Sequence, residues 1–480
     1  MKIITAHILL IITMSVAGCG NNGGGGGGGG VISSNLATVT PTYSVTGTIT
    51  DSDTSLPVSG ATVTIDTSSA STITTTNASG VFTITGLAKG TYLVTPSMSG
   101  RIFQSPSKTV TVEATDVSGV DFASSSHGGQ VLGLVADTGG QPLSPVTIKV
   151  YSGATLVSTV TNDVFGSYSL LLSSGTYRLE FSKNNFKTVV YNNLVVEDNK
   201  SSFLEMIFMI HNSFIAGPNS ELLLGDVSGR ISNAINGFGV SGLTVHLREG
   251  LNNTSGPVAA TTTTFNDGLL SDPKSDGFYT FVDPVTGRLT VPGGNYTAEV
   301  SGVGFTSVFF SVKCLGGRGT DNQNMTVAPD AAVGLVRVVL TWGTKRDLDS
   351  QLTGPTDVPP ARFHVYYISK TYSDTITTAS LDVDNTVAFG PETVTIPVHA
   401  AGVYRYSVHD FSGKGQTSSF ALSLSGAQVR VYNGNTLVNT FNVPPGRGGT
   451  LWTVFEMDGD SLAITPVNRM TYKADETTIP

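Results

Sequence analysis

Two pairs of aspartates in the last third of the chain have the type and spacing to bind a cation. Asp347 and Asp349 stand two apart in Asp347-Leu348-Asp349-Ser350, and Asp382 and Asp384 repeat that spacing in Leu381-Asp382-Val383-Asp384. In an extended segment, residues two apart share a face, so each pair presents two carboxylates to one side. Like charges that converge without a counter-charge are costly. Calcium supplies one: it is a hard cation that takes several carboxylate and carbonyl oxygens, and extracellular modules bind it weakly. Glu392 and the Asn385 carbonyl can add oxygen. The expected site is Asp347, Asp349, Asp382, Asp384 and Glu392, with Ca2+ as the cofactor. The alternative is a set of separate solvated loops in which each aspartate caps a turn.

Other chemistries have less behind them. His364, His399 and His409 are scattered, without the tight spacing of a zinc hydrolase site. There is no Gly-x-Ser-x-Gly elbow, no His-Glu-x-x-His and no Cys–His pair of evident role. Carboxylate pairs can come from distant loops, so a hydrolase of envelope or extracellular polymers would have to work at Asp349 and Asp384. No catalytic residue is assigned, and the chain reads as a non-enzyme.

Cys19 is a second reactive position. Lys2 gives a short positive start, Ile8-Leu9-Leu10-Ile11-Ile12 is apolar, and Val16-Ala17-Gly18 precedes the cysteine. Residues 1–18 read as a secretory signal, too short for a convincing membrane span. The four residues ending at Cys19 resemble the box of bacterial lipoprotein signals. That resemblance implies cleavage before Cys19, a thioether-linked lipid on its thiol and acylation of its amine. Several acyl chains hold a bilayer firmly where one does not. Gly20 stands where an aspartate would favour inner-membrane retention, which leans toward the outer membrane. Gly23 to Gly30 is an unbroken glycine run. It has nothing to bury and a large backbone entropy to lose, so residues 19–42 read as the lipidated cysteine and a flexible tether.

The chain has 480 residues, enough for several domains, and its charged fraction of 13% is low. Net charge is −9 without a visible basic patch, so nucleic acid is not an expected partner. With Cys19 assigned to lipid, Cys314 is left without a disulfide partner.

The body positions these groups through a pattern repeated three times. The first unit runs from Tyr43-Ser44-Val45 through Pro57-Val58-Ser59-Gly60 and Asn77-Ala78-Ser79-Gly80 to Gly90-Thr91-Tyr92. The second runs from Gly129-Gln130-Val131 through Pro142-Leu143-Ser144 and Gly166 to Gly175-Thr176-Tyr177. The third runs from Gly225-Asp226-Val227 through Val240-Ser241-Gly242 and Gly277 to Gly294-Asn295-Tyr296. Apolar residues alternate between turn formers, as in Val63 and Ile65, which predicts strands buried on one face. Gly80, Gly166 and Gly277 fall where positive φ or a close backbone approach favours glycine. Tyr92, Tyr177 and Tyr296 enter the next strand, where a ring covers one end of the core and its hydroxyl reaches solvent or backbone. Strands at this spacing predict an all-β chain of tandem β-sandwiches. Over residues 43–327 the order resembles tandem carboxypeptidase regulatory-like domains of the transthyretin or Cna-B-like type. The resemblance implies no peptidase activity. The expected domains are 43–124, 128–212 and 224–328.

From Gly334 the pattern changes. Trp342, Asp347-Leu348-Asp349-Ser350, Phe363-His364-Val365-Tyr366-Tyr367, Leu381-Asp382-Val383-Asp384, Gly390-Pro391-Glu392-Thr393 and Gly402-Val403-Tyr404 occur in an order resembling a bacterial family of unknown function related to YfaP-type proteins. A histidine often follows Asp-Leu-Asp-Ser in that pattern; here the place is Gln351. The expected C-terminal sandwich is 333–466, and 467–480 reads as a loose tail. The whole is expected to be a lipid-anchored envelope protein of the outer membrane. It would act as a spacer presenting a calcium-dependent glycan- or protein-binding domain, or as a purely structural surface component. An exposed aromatic patch near Tyr366, Tyr367 and Tyr372 would favour the binder.

Overall fold

The computed structural model describes residues 41–480 except 53, 67–70, 99–100, 104, 106, 126–127, 267–275, 344–345, 387 and 480. The signal segment, Cys19 and the glycine run lie outside the described residues. Among those described, no helix is long and apolar enough to cross a membrane, and regular structure is β-strand with short 3-10 turns.

Three sandwiches share one strand plan. In each, the first strand is central to one sheet, with an antiparallel neighbour on one side and a parallel one on the other. Tyr43–Asp51 pairs antiparallel with Val81–Leu87 and parallel with Phe122–Ser125. Gly129–Asp137 does so with Ser167–Leu172 and with Ser201–Phe203. In the third copy the strand is split into Leu224–Val227 and Gly229–Asn233, which pair with Val291–Pro292 and Phe278–Tyr279 on one side and Gly319–Thr320 and Met325–Val327 on the other. A four-stranded antiparallel sheet covers each, such as Ser71–Thr75, Thr62–Asp66, Gly90–Ser97 and Lys108–Val112 in the first. Alternation does the work the sequence promised: Val45, Ile49, Val63, Ile65, Phe82 and Ile84 fill the first core.

The repeated glycines meet both demands at once. Gly80, Gly166 and Gly277 have φ of +71°, +81° and +80°. A Cβ on them would stand 2.5, 2.5 and 2.3 Å from the carbonyl oxygens of Ile49, Val135 and Ile231. The repeated tyrosines close the other end: the Tyr92, Tyr177 and Tyr296 hydroxyls donate to the carbonyls of Ala88, Ser173 and Pro292 at 2.8, 3.0 and 2.7 Å.

The C-terminal sandwich is larger. One sheet has six strands, in the order Thr371–Ser373, Thr378–Val383, Glu392–Val398, Val336–Thr341, Gln428–Asn433, Thr436–Asn442. The other has five: Arg362–Val365, Leu348–Pro355, Val403–Asp410, Leu451–Asp458, Ile464–Thr471. Leu352, Tyr404, Tyr406, Trp452 and Phe455 lie between them.

The loose tail expected from residue 467 onward does not form. Ile464–Thr471 is an edge strand paired with Leu451–Asp458, Leu451 opposite Thr471. Pro466 and the positive φ of Asn468 break the strand signal, and an edge strand is where a sheet tolerates proline. Beyond it, the Lys473 N–H donates to Thr450 Oγ1 at 2.9 Å, and Ile479 is buried.

The sandwiches are not a row of separate bodies either. Leu251 of the third sits in the core cluster of the second, and its N–H donates to Val190 O at 2.8 Å. Val339 and Tyr432 of the last sit in the core cluster of the third. The last also reaches the second directly, through Asn442 Nδ2 to Phe203 O at 2.9 Å.

Candidate metal centre

The acidic residues gather at an open edge of the C-terminal sandwich. The Leu348–Pro355 strand pairs with Val403–Asp410 along most of its length, but with Arg362–Val365 only from Leu352 onward. Ser350 therefore turns its N–H to an edge that no strand covers. Glu392, at the start of a strand in the opposite sheet, reaches across and accepts that N–H at 2.5 Å. Glu392 is 0% exposed, a carboxylate at the seam between two sheets.

Asp349 lies on the same strand, 3% exposed, directly opposite His409. Asp384 follows the Thr378–Val383 strand. One oxygen from each of Asp349, Asp384 and Glu392 lies within 4.8 Å of the other two. Asp347 is beside them. Its N–H is held by Ser412 Oγ at 3.0 Å, and the preceding Arg346 is clamped on buried Asp410 at 2.6 and 2.7 Å. Trp342 Nε1 donates to Arg346 O at 2.9 Å, fixing the approach. On the other side, Asn385 Nδ2 ties its loop by donating to Gly390 O at 2.8 Å.

Of the five expected ligands, Asp349, Asp384 and Glu392 converge, Asp347 stands near enough for its charge to act on Asp349, and Asp382 is apart. Asp382 is exposed; its carboxylate accepts from Ser380 and Thr395 on the outer face of the sheet. The pairing register slips between Leu381 and Val383, so the two-residue rule that would put Asp382 beside Asp384 fails at the bulge.

The electrostatics follow from burial and crowding. Burial, then the charges of Asp347, Asp384 and Glu476, push the Asp349 carboxyl up to about 8, with Lys414 opposing. Burial and Asp349 raise Glu392 well above the usual range, against the Ser350 bonds. Burial, Asp384 and Asp410 raise Asp347. Lys370 pairs with Asp384 at 2.8 Å. Four carboxylate oxygens are nonetheless buried without a hydrogen-bond partner: Asp347 Oδ1, Asp349 Oδ2, Asp384 Oδ1 and Glu392 Oε1. Unpaired buried acceptors cost roughly 1–3 kcal/mol each. Such an array takes up either protons or a cation. The all-oxygen donor set suits a hard ion rather than zinc or copper. Oxygens on one Ca2+ ion can stand about 5 Å apart, which the three converging atoms satisfy.

The histidines take no part as ligands. His364 meets Gln351 Oε1 at 2.7 Å, and burial lowers it to about 4. His399 contacts the carbonyls of Gly459 and Gly334, and His409 that of Lys473. The tyrosines are half-buried and pack against neighbouring rings. Tyr366 stacks on His364 at 4.2 Å, Tyr367 meets Tyr366 and Phe411 edge-on, and Tyr372 stacks on Phe363 at 4.6 Å. Sequence reasoning missed Glu476, which accepts from Tyr367 Oη at 2.5 Å beside the cluster; nothing in a segment read as a tail marks it.

The carboxypeptidase regulatory-like domain family model matches residues 44–125 and 130–206. Among solved structures, the Bacillus anthracis TIE protein is 13% identical, with 60% of this chain and 50% of that chain covered and a TM-score of 0.17. This chain thus spans half the length of that protein. The major pilin subunit BcpA of Bacillus cereus is 12% identical over 60% of this chain and 100% of its own, with a TM-score of 0.17. The minor pilin GBS52 of Streptococcus agalactiae is 12% identical over 35% and 96%, with a TM-score of 0.15. Likeness at that level carries no argument about function. The first two sandwiches of this all-β, multidomain chain match the carboxypeptidase regulatory-like domain, and the third repeats their strand plan.

Proposed function

We propose that this chain is a non-catalytic cell-envelope protein, anchored by lipid on Cys19, whose C-terminal sandwich is completed by a calcium ion. One observation carries the cation: a carboxylate oxygen from each of Asp349, Asp384 and Glu392 lies within 4.8 Å of the other two, and each of these residues has a buried oxygen without a hydrogen-bond partner. Asp349, Asp384 and Glu392 would hold the ion, with Asp347 as a fourth oxygen donor. The ion supplies the counter-charge that burial denies these groups and ties the two sheets together at their open edge. It binds the folded state alone, so it stabilises by about 2.7 kcal/mol at a hundred times its Kd.

The test is calorimetry and thermal melting of EDTA-treated protein on addition of calcium. Saturable binding and a raised melting temperature are expected, with both lost in Asp349→Asn and Glu392→Gln. Absence of heat and of any melting shift at millimolar calcium would refute the reading.

The anchor rests on the sequence around Cys19. Palmitate labelling and bilayer partition are expected in the native protein and lost in Cys19→Ser. Gly20 supports the outer membrane as the address. A glycan or envelope protein is the partner class for the exposed loops. The hydrolase reading has no observation in its favour. Asp349 and Glu392 are buried and Asp384 is half-buried, and none of the three lines the large cleft, about 580 Å³, between the second, third and last sandwiches.

A further inference from the structure

We infer that the cleft between the second, third and last sandwiches takes an extended acidic peptide, held on its backbone by the edge strand Phe305–Cys314 and at its carboxylate by Lys313. The site is separate from the acidic cluster and does not depend on the cation. The cleft holds about 580 Å³, inside the range of about 300–1,000 Å³ common to ligand sites. All three sandwiches wall it: Met206 and Phe208 from the second, Phe310 and Lys313 from the third, Leu424 from the last.

Among the described residues, four charged side chains line it, and three are already matched. Glu205 accepts from Ser311 Oγ and has Arg430 as its counter-charge. Arg430 donates to Phe309 O at 3.0 Å and lies 4.1 Å over the Phe310 ring. Asp321 accepts from Ser228 Oγ at 2.8 Å. Lys313 is left over. Its ammonium lies 4.0 Å over the Phe208 ring. Burial alone lowers it from the ordinary lysine range, with no carboxylate among the described residues to oppose that. A cation already stripped of water loses little more when a carboxylate arrives, and the bond it then makes is charge-assisted.

The acid comes on a peptide, and not as a small anion, because of what lies beside Lys313. Phe305–Cys314 is the last strand of its sheet and pairs with Gly294–Gly302 on one side only. In an antiparallel pair, N–H and C=O turn outward together at every second residue. Phe309 O is turned outward to Arg430, and the Lys313 N–H is turned outward to Gln323 Oε1 at 3.1 Å. Ser311, midway between them, therefore aims both its N–H and its C=O away from Gly294–Gly302. Phe310 to Lys313 line the cleft without a break. A sheet edge takes an added strand through such groups. Opposed side chains in a ladder share a face, so an acidic residue two places from the one paired with Ser311 meets Lys313.

The measurement is fluorescence anisotropy on the full chain with a labelled library of blocked pentapeptides, one position fixed as glutamate and the rest β-branched. A second library has glutamine in that place, and a third is N-methylated along the backbone. Saturable binding by members of the glutamate library is expected. It should weaken about tenfold or more with glutamine, an arm that needs no variant, and by a similar factor in Lys313→Met, which keeps the stem on Phe208. Lys313→Arg should retain it, and hydrogen exchange at Ser311 should slow in the complex. Absence of binding at millimolar peptide, or equal affinity in Lys313→Met, would overturn the inference. Succinate binding as tightly as the glutamate peptides, or unchanged binding on N-methylation, would make this a small-anion site and overturn it too.

Discussion

Glu392 and Asp349 are held where neither can shed a proton cheaply, and that shapes how the C-terminal sandwich responds to pH. In cation-free protein the Asp349 carboxyl titrates near 8, against about 3.9 in an unfolded chain. Between those values the folded state keeps a proton that the unfolded state has lost. Stability from this group is full below about pH 4 and drains away as pH rises through 8; Glu392 moves in the same direction. In EDTA the domain should melt higher at about pH 5 than at about pH 8, and calcium should remove most of the difference. Asp349→Asn should flatten the profile and stabilise the cation-free domain at about pH 8 by roughly 1–3 kcal/mol, read by denaturant titration. Spacing made Asp347, Asp349 and Asp384 legible in the sequence, with Glu392 added as a further oxygen donor. Asp382 misled because the same spacing holds along the chain while a bulge breaks it in space, and bulges leave no mark on a two-residue pattern.

Strands were legible wherever alternation and turn residues agreed. Gly166 shows why: its φ of +81° and the 2.5 Å from a Cβ to Val135 O leave room for no other residue. Gly166→Ala should cost the second sandwich about 2–3 kcal/mol by chemical denaturation. Ile464–Thr471 was not legible, since Pro466 and Asn468 interrupt it, yet it covers the whole outer edge of Leu451–Asp458. Removing residues 464–480 strips that edge and the packing of Ile464 and Met470. An uncovered edge is an invitation to aggregate, and the loss should exceed about 3 kcal/mol. Stopping after Thr471 keeps the strand and should cost about 1–2 kcal/mol. Soluble yield and melting of the two truncations would separate a structural strand from a dispensable tail; equal behaviour would favour the tail.

At the scale of the molecule, the contacts between sandwiches come from strand faces that one-sided alternation would leave to solvent. Leu335 to Leu340 hinted at this, because Val338-Val339-Leu340 is apolar on both faces, a pattern of strands covered on two sides. Val338 and Leu340 fill their own core, while Val339 packs into the third sandwich with Tyr432. Arg337 and Arg430 were opaque: charged residues on a strand read as solvated. Instead Arg337 Nη1 donates to Pro329 O at 2.8 Å, and Arg430 Nη2 donates to Phe309 O at 3.0 Å with its guanidinium 4.1 Å over Phe310. Arg430 is buried in the junction, and Glu205 of the second sandwich, bonded to Ser311 of the third, adds an opposite charge. Three sandwiches thus share one set of polar contacts around buried Arg430, and the junction should unfold as a unit. Arg430→Ala removes the carbonyl bond and the ring contact and leaves a buried gap beside Glu205. It should cost about 2–4 kcal/mol and split a joint transition into separate ones for the third and last sandwiches in calorimetry. The radius of gyration from solution scattering should rise as the last sandwich swings free, while the Asp349 cluster, built wholly within that sandwich, keeps its calcium affinity. An unchanged single transition in Arg430→Ala would mean that Val339 and Tyr432 hold the junction without it.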